Sequence, residues 1–192
     1  KEDTVFEEII VTANKRSESL RSVAGAISAV TGSQLSDMGA ESLSDYITTL
    51  PGVHFNDYQP GVSEVIIRGV SASTYHEQGQ TTVGYYINEI PLNEAGWPIV
   101  IPDVDTFDLE RVEVLRGPQG SLYGAAALGG LVNYIAKEAD PSEFDAAFEA
   151  SIGSTRNAGE PNYTAKGMFN APIIEDKLAV RVVALERFDA GF

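Results

Sequence analysis

The chain has 192 residues, enough for one domain and part of a second. Its 28 acidic and 13 basic side chains give a formal net charge of −15, which argues against nucleic acid and anionic lipid as partners because both need a positive surface. It contains no cysteine, so disulfides, thiol nucleophiles and cysteine-ligated metals are excluded.

The sequence contains no run of about 18 apolar residues, so no transmembrane helix is predicted. The segment from Lys1 to Thr4 lacks the basic and apolar regions of a signal peptide. We therefore expect that an exported form has already lost its leader.

The N-terminal arm, residues 1–22, is polar and lacks a helical period, which predicts a flexible segment. It contains one β-prone stretch, from Ile9 to Thr12. Such a stretch can add to the edge of a partner's sheet through backbone hydrogen bonds. It can equally be a mobile terminus without a role, and the residues leave both interpretations open.

Two short helices are predicted after a strand from Ala26 to Val30. Ser33 is the expected N-cap of the first helix, which ends at Gly39. Ser42 is the expected N-cap of the second, with Asp45 as its capping-box partner. The second helix places three apolar residues on one face, namely Leu43, Ile47 and Leu50.

Short strands follow the helices, a mixture that predicts an α+β domain ending near residue 140. The predicted strands are Val65 to Arg68, Thr82 to Ile87, Ile90 to Leu92, Val112 to Leu115 and Val132 to Ile135.

A glycine-rich segment joins the last two strands of this domain. A phosphate-binding loop would require a helix that opens at the glycines, with a Lys-Ser/Thr pair or a GxGxxG motif. No lysine follows, and the chain returns to a strand, so a tightly folded turn is predicted instead. The glycines are Gly117, Gly120, Gly124, Gly129 and Gly130.

Beyond Asp140 the apolar residues alternate with a period of two. The alternation predicts three strands, over Phe144 to Gly153, Tyr163 to Ala171 and Leu178 to Ala184. A soluble three-stranded sheet would show the same pattern. In a membrane, an open sheet would leave unpaired edges in lipid, so we expect further strands in a longer protein.

Three stretches resemble the plug domain of TonB-dependent outer-membrane receptors, over about residues 7–188. The sequence VEVLRGPQGSLYGAAALGGLVNYI, from Val112 to Ile135, is similar to the end of that domain. Ile66 to Gly69 resembles its IRG strand, and Glu8 to Ala13 looks like the TonB box. The three occur in the order of the family.

The resemblance implies three parts: an arm with the TonB box (1–22), a plug domain with a small mixed sheet (23–140), and the first antiparallel strands of a transmembrane β-barrel (141–192). The full barrel would have about 22 strands and be surrounded by outer-membrane lipid. The plug would lie inside it, with the arm in the periplasm.

The implied function is active transport of a scarce ligand across the bacterial outer membrane, driven by TonB. The ligand would be an iron–siderophore or similar chelate, or a carbohydrate, and the plug would gate the barrel. An isolated, soluble plug-like periplasmic ligand-binding module is the alternative. A signalling receptor, with an extra domain ahead of the box, is a variant of the transport hypothesis.

The resemblance also assigns roles to individual residues. Arg68 and Arg116 would form a plug–barrel lock with glutamates beyond Phe192. A surface ion pair with Glu64, Glu110 or Glu113 is the local alternative. The expected TonB-binding residues are Glu8, Ile9, Ile10, Val11, Thr12 and Ala13.

Three polar loops are expected to contact substrate, since aromatic and amide side chains suit polar ligands. They run from Asn56 to Ser63, Ser71 to Gln80 and Asn93 to Ile101. These residues can equally pack the loops themselves. The candidate substrate-binding residues are Tyr58, Tyr75, His76 and Trp97.

No catalytic or metal-binding arrangement is predicted. His54 and His76 lack a metal-ligand spacing with each other or with nearby carboxylates. Ser121 lacks the GxSxG context of a nucleophilic serine. We therefore predict neither an enzyme nor a bound cofactor. The alternative hypothesis of an enzyme would be supported by a catalytic activity that is lost in the His76→Ala variant.

Overall fold

The computed structural model describes residues 8–12, 15–23, 25–59, 62–71, 81–92, 101–102, 104–124, 127–156 and 159–190. The chain forms two compact units, Lys1–Ala136 and Lys137–Phe192. Among the described residues, no helix has the length and apolar character needed to cross a membrane.

The first unit is built on a five-stranded mixed sheet with the strand order β3-β8-β9-β6-β7. Strands β6 and β9 are parallel, and the other neighbours are antiparallel. Two hairpin-like pairs, β1–β2 and β4–β5, lie outside this sheet. The elements are β1 (Ile10–Val11), β2 (Glu18–Ser19), β3 (Ala26–Thr31), α1 (Gly32–Asp37), α2 (Leu43–Ile47), β4 (Val53–Gln59), β5 (Val62–Ile67), β6 (Val83–Ile87), β7 (Ile90–Pro91), β8 (Leu109–Arg116), α3 (Gly120–Tyr123) and β9 (Gly130–Ala136).

Of the two predicted helix N-caps, the one for α2 is correct and the one for α1 is wrong. Asp45 accepts a 2.8 Å hydrogen bond from the Ser42 backbone N–H, as a capping box requires. The N-cap of α1 is Thr31 and not Ser33. Thr31 has a glutamine, Gln34, three residues later, and the two residues bond reciprocally.

The sheet buries its two faces under different elements. The larger hydrophobic cluster lies on the face that packs against α1 and α2, and it contains Val112 and Val114 of β8. Side chains alternate along a strand, so Arg111, Glu113 and Leu115 point to the opposite face. That face carries a smaller cluster, made of Tyr86, Leu115, Tyr123, Ala127 and Leu131.

The prediction of a loop from Asn56 to Ser63 is wrong. Strands β4 and β5 continue through most of this region and pair with each other, Phe55 opposite Val65. Strand β4 was not predicted from the sequence, because its alternation of apolar and polar residues is short. Its outward positions, such as His54 and Asn56, are polar. The predicted strand end at Arg68 is also displaced, because Arg68 and Gly69 form a turn between Ile67 and Val70.

The second unit is an antiparallel three-stranded sheet of β10 (Asp145–Gly153), β11 (Asn162–Ile174) and β12 (Leu178–Phe188). One face carries large exposed apolar side chains, for example Phe148 and Val182. On the other face Lys166 lies opposite Glu149, with 3.4 Å between the amine and the carboxylate. Asn170 holds the incoming chain by donating to the Asp140 and Glu143 carbonyls.

Candidate functional site

A fully buried carboxylate, Glu113, lies near the middle of the five-stranded sheet. Arg111, two residues earlier on the same face, donates from Nε to Glu113 Oε1 at 2.8 Å. Arg111 also pairs with Glu110. A buried ion pair is stable only when its remaining lone pairs are bonded, so Glu113 needs further donors.

Thr12 of the N-terminal arm supplies those donors. Its backbone N–H donates to Glu113 Oε1 at 2.8 Å, and its hydroxyl donates to Oε2 at 2.9 Å. We call Thr12, Arg111 and Glu113 the carboxylate clip. The preceding residue, Val11, is fully buried, whereas Ile10 is 43% exposed. The arm is therefore docked on the sheet through Thr12, and the neighbouring Val11 is buried.

The arm also folds back on itself, where the sequence predicted a flexible segment. Ile10 pairs with Ser19 and Val11 with Glu18, and the Leu20 N–H donates to the Ile9 carbonyl at 2.9 Å. One edge of the β-prone stretch is thus occupied by the chain itself. Local propensity could not show the docking of the arm on the sheet, because the clip joins Thr12 to Glu113, 101 positions away.

A second attachment lies a few residues further along the arm. The Lys15 ammonium is 5.6 Å from the centre of the Tyr123 ring, and the Lys15 backbone N–H donates to the Tyr123 hydroxyl. The Tyr86 hydroxyl donates to the Tyr123 carbonyl, and the two rings meet edge to face at 5.2 Å. Burial raises the pKa of both tyrosines above the usual 10.0, so both are neutral at physiological pH.

The two arginines of the expected lock lie at the same end of the sheet. Arg68 is exposed, with φ +54°, and its Nη1 atom lies 3.2 Å from where a Cβ on Gly117 would stand. Arg116 donates from Nη1 to the Pro51 carbonyl at 2.7 Å.

Neither arginine forms an ion pair within the described part of the chain, and the three local candidates have other partners. Glu64 accepts from the Tyr58 hydroxyl at 2.8 Å and from the Ser71 hydroxyl at 2.6 Å. Glu110 and Glu113 both pair with Arg111.

Of the candidate substrate residues, Tyr58 alone falls within the described residues. It lies on β4, is 49% exposed and bonds to Glu64. His54 is exposed on the same strand, and no cluster of potential metal ligands occurs among the described residues. Tyr75, His76 and Trp97, together with Ala13 of the box, lie outside them.

The sequence indicated Glu113 only as one of three alternative ion-pair partners for Arg68 and Arg116, and its bonds to Thr12 were not predicted. The available signal was the alternation of two charged residues, Arg111 and Glu113, with the apolar Val112 and Val114 in the middle of β8. Charged residues are rarely buried without a specific partner, so this pattern marks a polar contact on the sheet.

Comparison with known proteins gives a consistent result. Residues 19–131 match the family model described as "TonB-dependent Receptor Plug Domain". The chain is 29% identical over 158 residues to the vitamin B12 transporter BtuB of Vibrio vulnificus, covering 77% of this chain and 25% of the relative. It is 29% identical over 187 residues to the pesticin receptor of Yersinia pestis, covering 95% and 26%.

A solved structure shares the fold. The ferripyoverdine receptor of the outer membrane of Pseudomonas aeruginosa superimposes with a TM-score of 0.73 at 23% identity, covering 96% of this chain and 23% of that one. The chain spans about a quarter of the length of the curated relatives it matches.

Proposed function

The chain belongs to the TonB-dependent receptors of the outer membrane, and we propose that it supplies the plug and the first wall strands of a receptor that imports a scarce ligand. The relatives are receptors and transporters, which supports transport over catalysis. Their names include a vitamin B12 transporter and a ferripyoverdine receptor. We therefore favour a metal chelate over a carbohydrate as the ligand of this chain.

The docking of residues 8–12, which we propose to be the TonB box, is the observation that carries the proposal. The box residues in the described part of the chain, residues 8–12, are held by the carboxylate clip and by pairing with β2. A partner that adds the box to its own sheet must compete with this pairing. In our proposal, ligand binding weakens the docking, TonB captures the freed box, and pulling on it rearranges the plug.

The attachment of Lys15 to Tyr123 supports a route for that pull. Tyr123 belongs to α3, within the glycine-rich segment that leads back to Gly117 and Arg116. Force on the arm would reach this segment after the clip has opened. Segments with few buried apolar contacts rearrange at low free energy, so the smaller cluster is the part we expect to move.

We also propose that Arg68 and Arg116 form the plug–barrel lock. Support comes from their position at one end of the sheet and from the occupied local carboxylates. A guanidinium near apolar strand ends is stabilised by a carboxylate in bidentate geometry. The partners would be glutamates beyond Phe192.

For the substrate, we propose contact at the β4–β5 hairpin through Tyr58. Its exposed ring and its bond to Glu64 present an aromatic surface with a fixed polar edge. Tyr75, His76 and Trp97 are proposed to contribute from neighbouring segments.

The test uses the full receptor with Val11→Pro. Proline removes the N–H at a position in β1 and disfavours the local strand pairing, so uptake should be abolished while ligand binding stays intact. Val11→Ala is the matched control, since it retains the backbone N–H, and it should retain uptake. Normal uptake by Val11→Pro would refute the assignment of the box.

A further inference from the structure

Asn133, on β9, is a buried side chain whose amide group has no hydrogen-bond partner among the described residues. It is 1% exposed, and within the described part of the chain neither Nδ2 nor Oδ1 has a hydrogen-bond partner. Leaving a buried polar group unpaired destabilises a fold, and such groups are rare in stable proteins. An asparagine at this position therefore has no evident role in the docked state.

The position of Asn133 suggests its role in another state. It lies directly opposite Glu113 across β8 and β9, on the face that carries the clip. Directly opposite residues of an antiparallel pair have Cβ atoms about 4.5–5.5 Å apart, so the amide can reach the carboxylate by side-chain rotation. Its other neighbour on that face, Tyr86, already donates its hydroxyl to Tyr123.

We propose that Asn133 is a reserve donor for Glu113, which takes the place of Thr12 when the arm leaves the sheet. This rests on the proposed release of the box. Without a replacement, release of the arm would leave the Glu113 carboxylate with Arg111 as its one partner among those described, a less stable arrangement. With the Asn133 amide on Glu113, the undocked sheet keeps its charge satisfied. Asn133 is thus a positioning residue that sets how easily the box is freed.

The test measures how often Val11 becomes exposed. The 192 residues contain no cysteine, and Val11 is fully buried when docked. In the full receptor, with any cysteine elsewhere replaced by serine, Val11→Cys therefore reacts with maleimide only on undocking. Asn133→Leu keeps a similar volume but has no donor. We expect about tenfold slower labelling, the factor for one ordinary hydrogen bond to a charged acceptor.

The direction of the change in labelling rate separates this role from support of the docked sheet, and a Glu113→Gln background separates it from relief of the unpaired amide. A slowing by Asn133→Leu that stays about tenfold with the neutral acceptor of Glu113→Gln overturns the proposal. If Asn133 only supported the sheet, Asn133→Leu would loosen the clip, and labelling would stay the same or accelerate, which overturns the proposal. If the Asn133→Leu variant does not fold, Asn133→Val is used in its place, and the same slowing of labelling is expected. Val132→Ala is the control, because it weakens the opposite face of β9 and should lower thermal stability without slowing the labelling.

Two further outcomes distinguish this inference from the proposed function. If Thr12→Val leaves labelling unchanged, the clip does not hold the box, and both ideas fail. If Thr12→Val accelerates labelling and Asn133→Leu does not slow it, the clip stands and the reserve donor is refuted.

Discussion

Removal of the Thr12 hydroxyl should free the arm by a predictable amount. Thr12→Val keeps the shape of the side chain and the backbone N–H bond to Glu113, and it deletes the 2.9 Å bond to Oε2. A hydrogen bond to a charged group contributes about 1.5–3 kcal/mol, and the contact is only partly buried, so we take about 1.5 kcal/mol. The undocked fraction should then rise about tenfold.

The assay is the maleimide reaction of Val11→Cys in the full receptor without ligand. Thr12→Ser retains the hydroxyl and is the matched control, which should label at nearly the parental rate. A rate for Thr12→Val within twofold of parental would refute the reasoning, because the buried Oε2 of Glu113 would then not depend on Thr12.

Two other predictions concern stability. Gly117→Ala should destabilise the receptor by about 1 kcal/mol or more in calorimetry, since φ is +113° and the new Cβ would meet Arg68 at 3.2 Å. At Gly120 an added Cβ would have no atom within 4 Å, so Gly120→Ala should change the unfolding free energy by less than about 0.5 kcal/mol. Equal effects of the two substitutions would contradict this explanation. Burial raises the pKa of Tyr85 and Tyr123 above 10.0, so the contribution of these two tyrosines to the unfolding free energy should be constant below about pH 10 and should fall as the pH rises further. Tyrosinate absorbance that shows all tyrosines ionising at the usual pKa would contradict it.

Local patterns predicted much of the fold. The alternation in the second unit led to β10, β11 and β12, and the Ser42 and Asp45 pair identified the start of α2. In each case neighbouring residues carry the signal, because pleat and cap geometry depend on spacings of two to four residues.

The candidate site was harder to predict, since its contacts are long-range. The β-prone stretch could be seen in the sequence, and the resemblance predicts that it is the TonB box. Its docking depends on Glu113, and nothing near Thr12 in the sequence indicates that partner. The hairpin at Phe55 was missed for a different reason. The apolar–polar alternation of its first strand, β4, is short, and the outward-facing residues of β4 are polar. Pairing with β5 therefore stabilises β4 more than its own strand propensity does.

The two faces of the five-stranded sheet differ in how much each would lose by opening. The helix-covered face holds most of the buried apolar residues of its unit, whereas the face under the arm and α3 holds few. Opening free energy grows with the apolar surface exposed, so the arm-covered face should exchange its amide hydrogens first. The helix-covered face is therefore the more stable of the two, and the arm-covered face should open first. Opening that is limited to the arm-covered face would leave the helix-covered hydrophobic cluster folded.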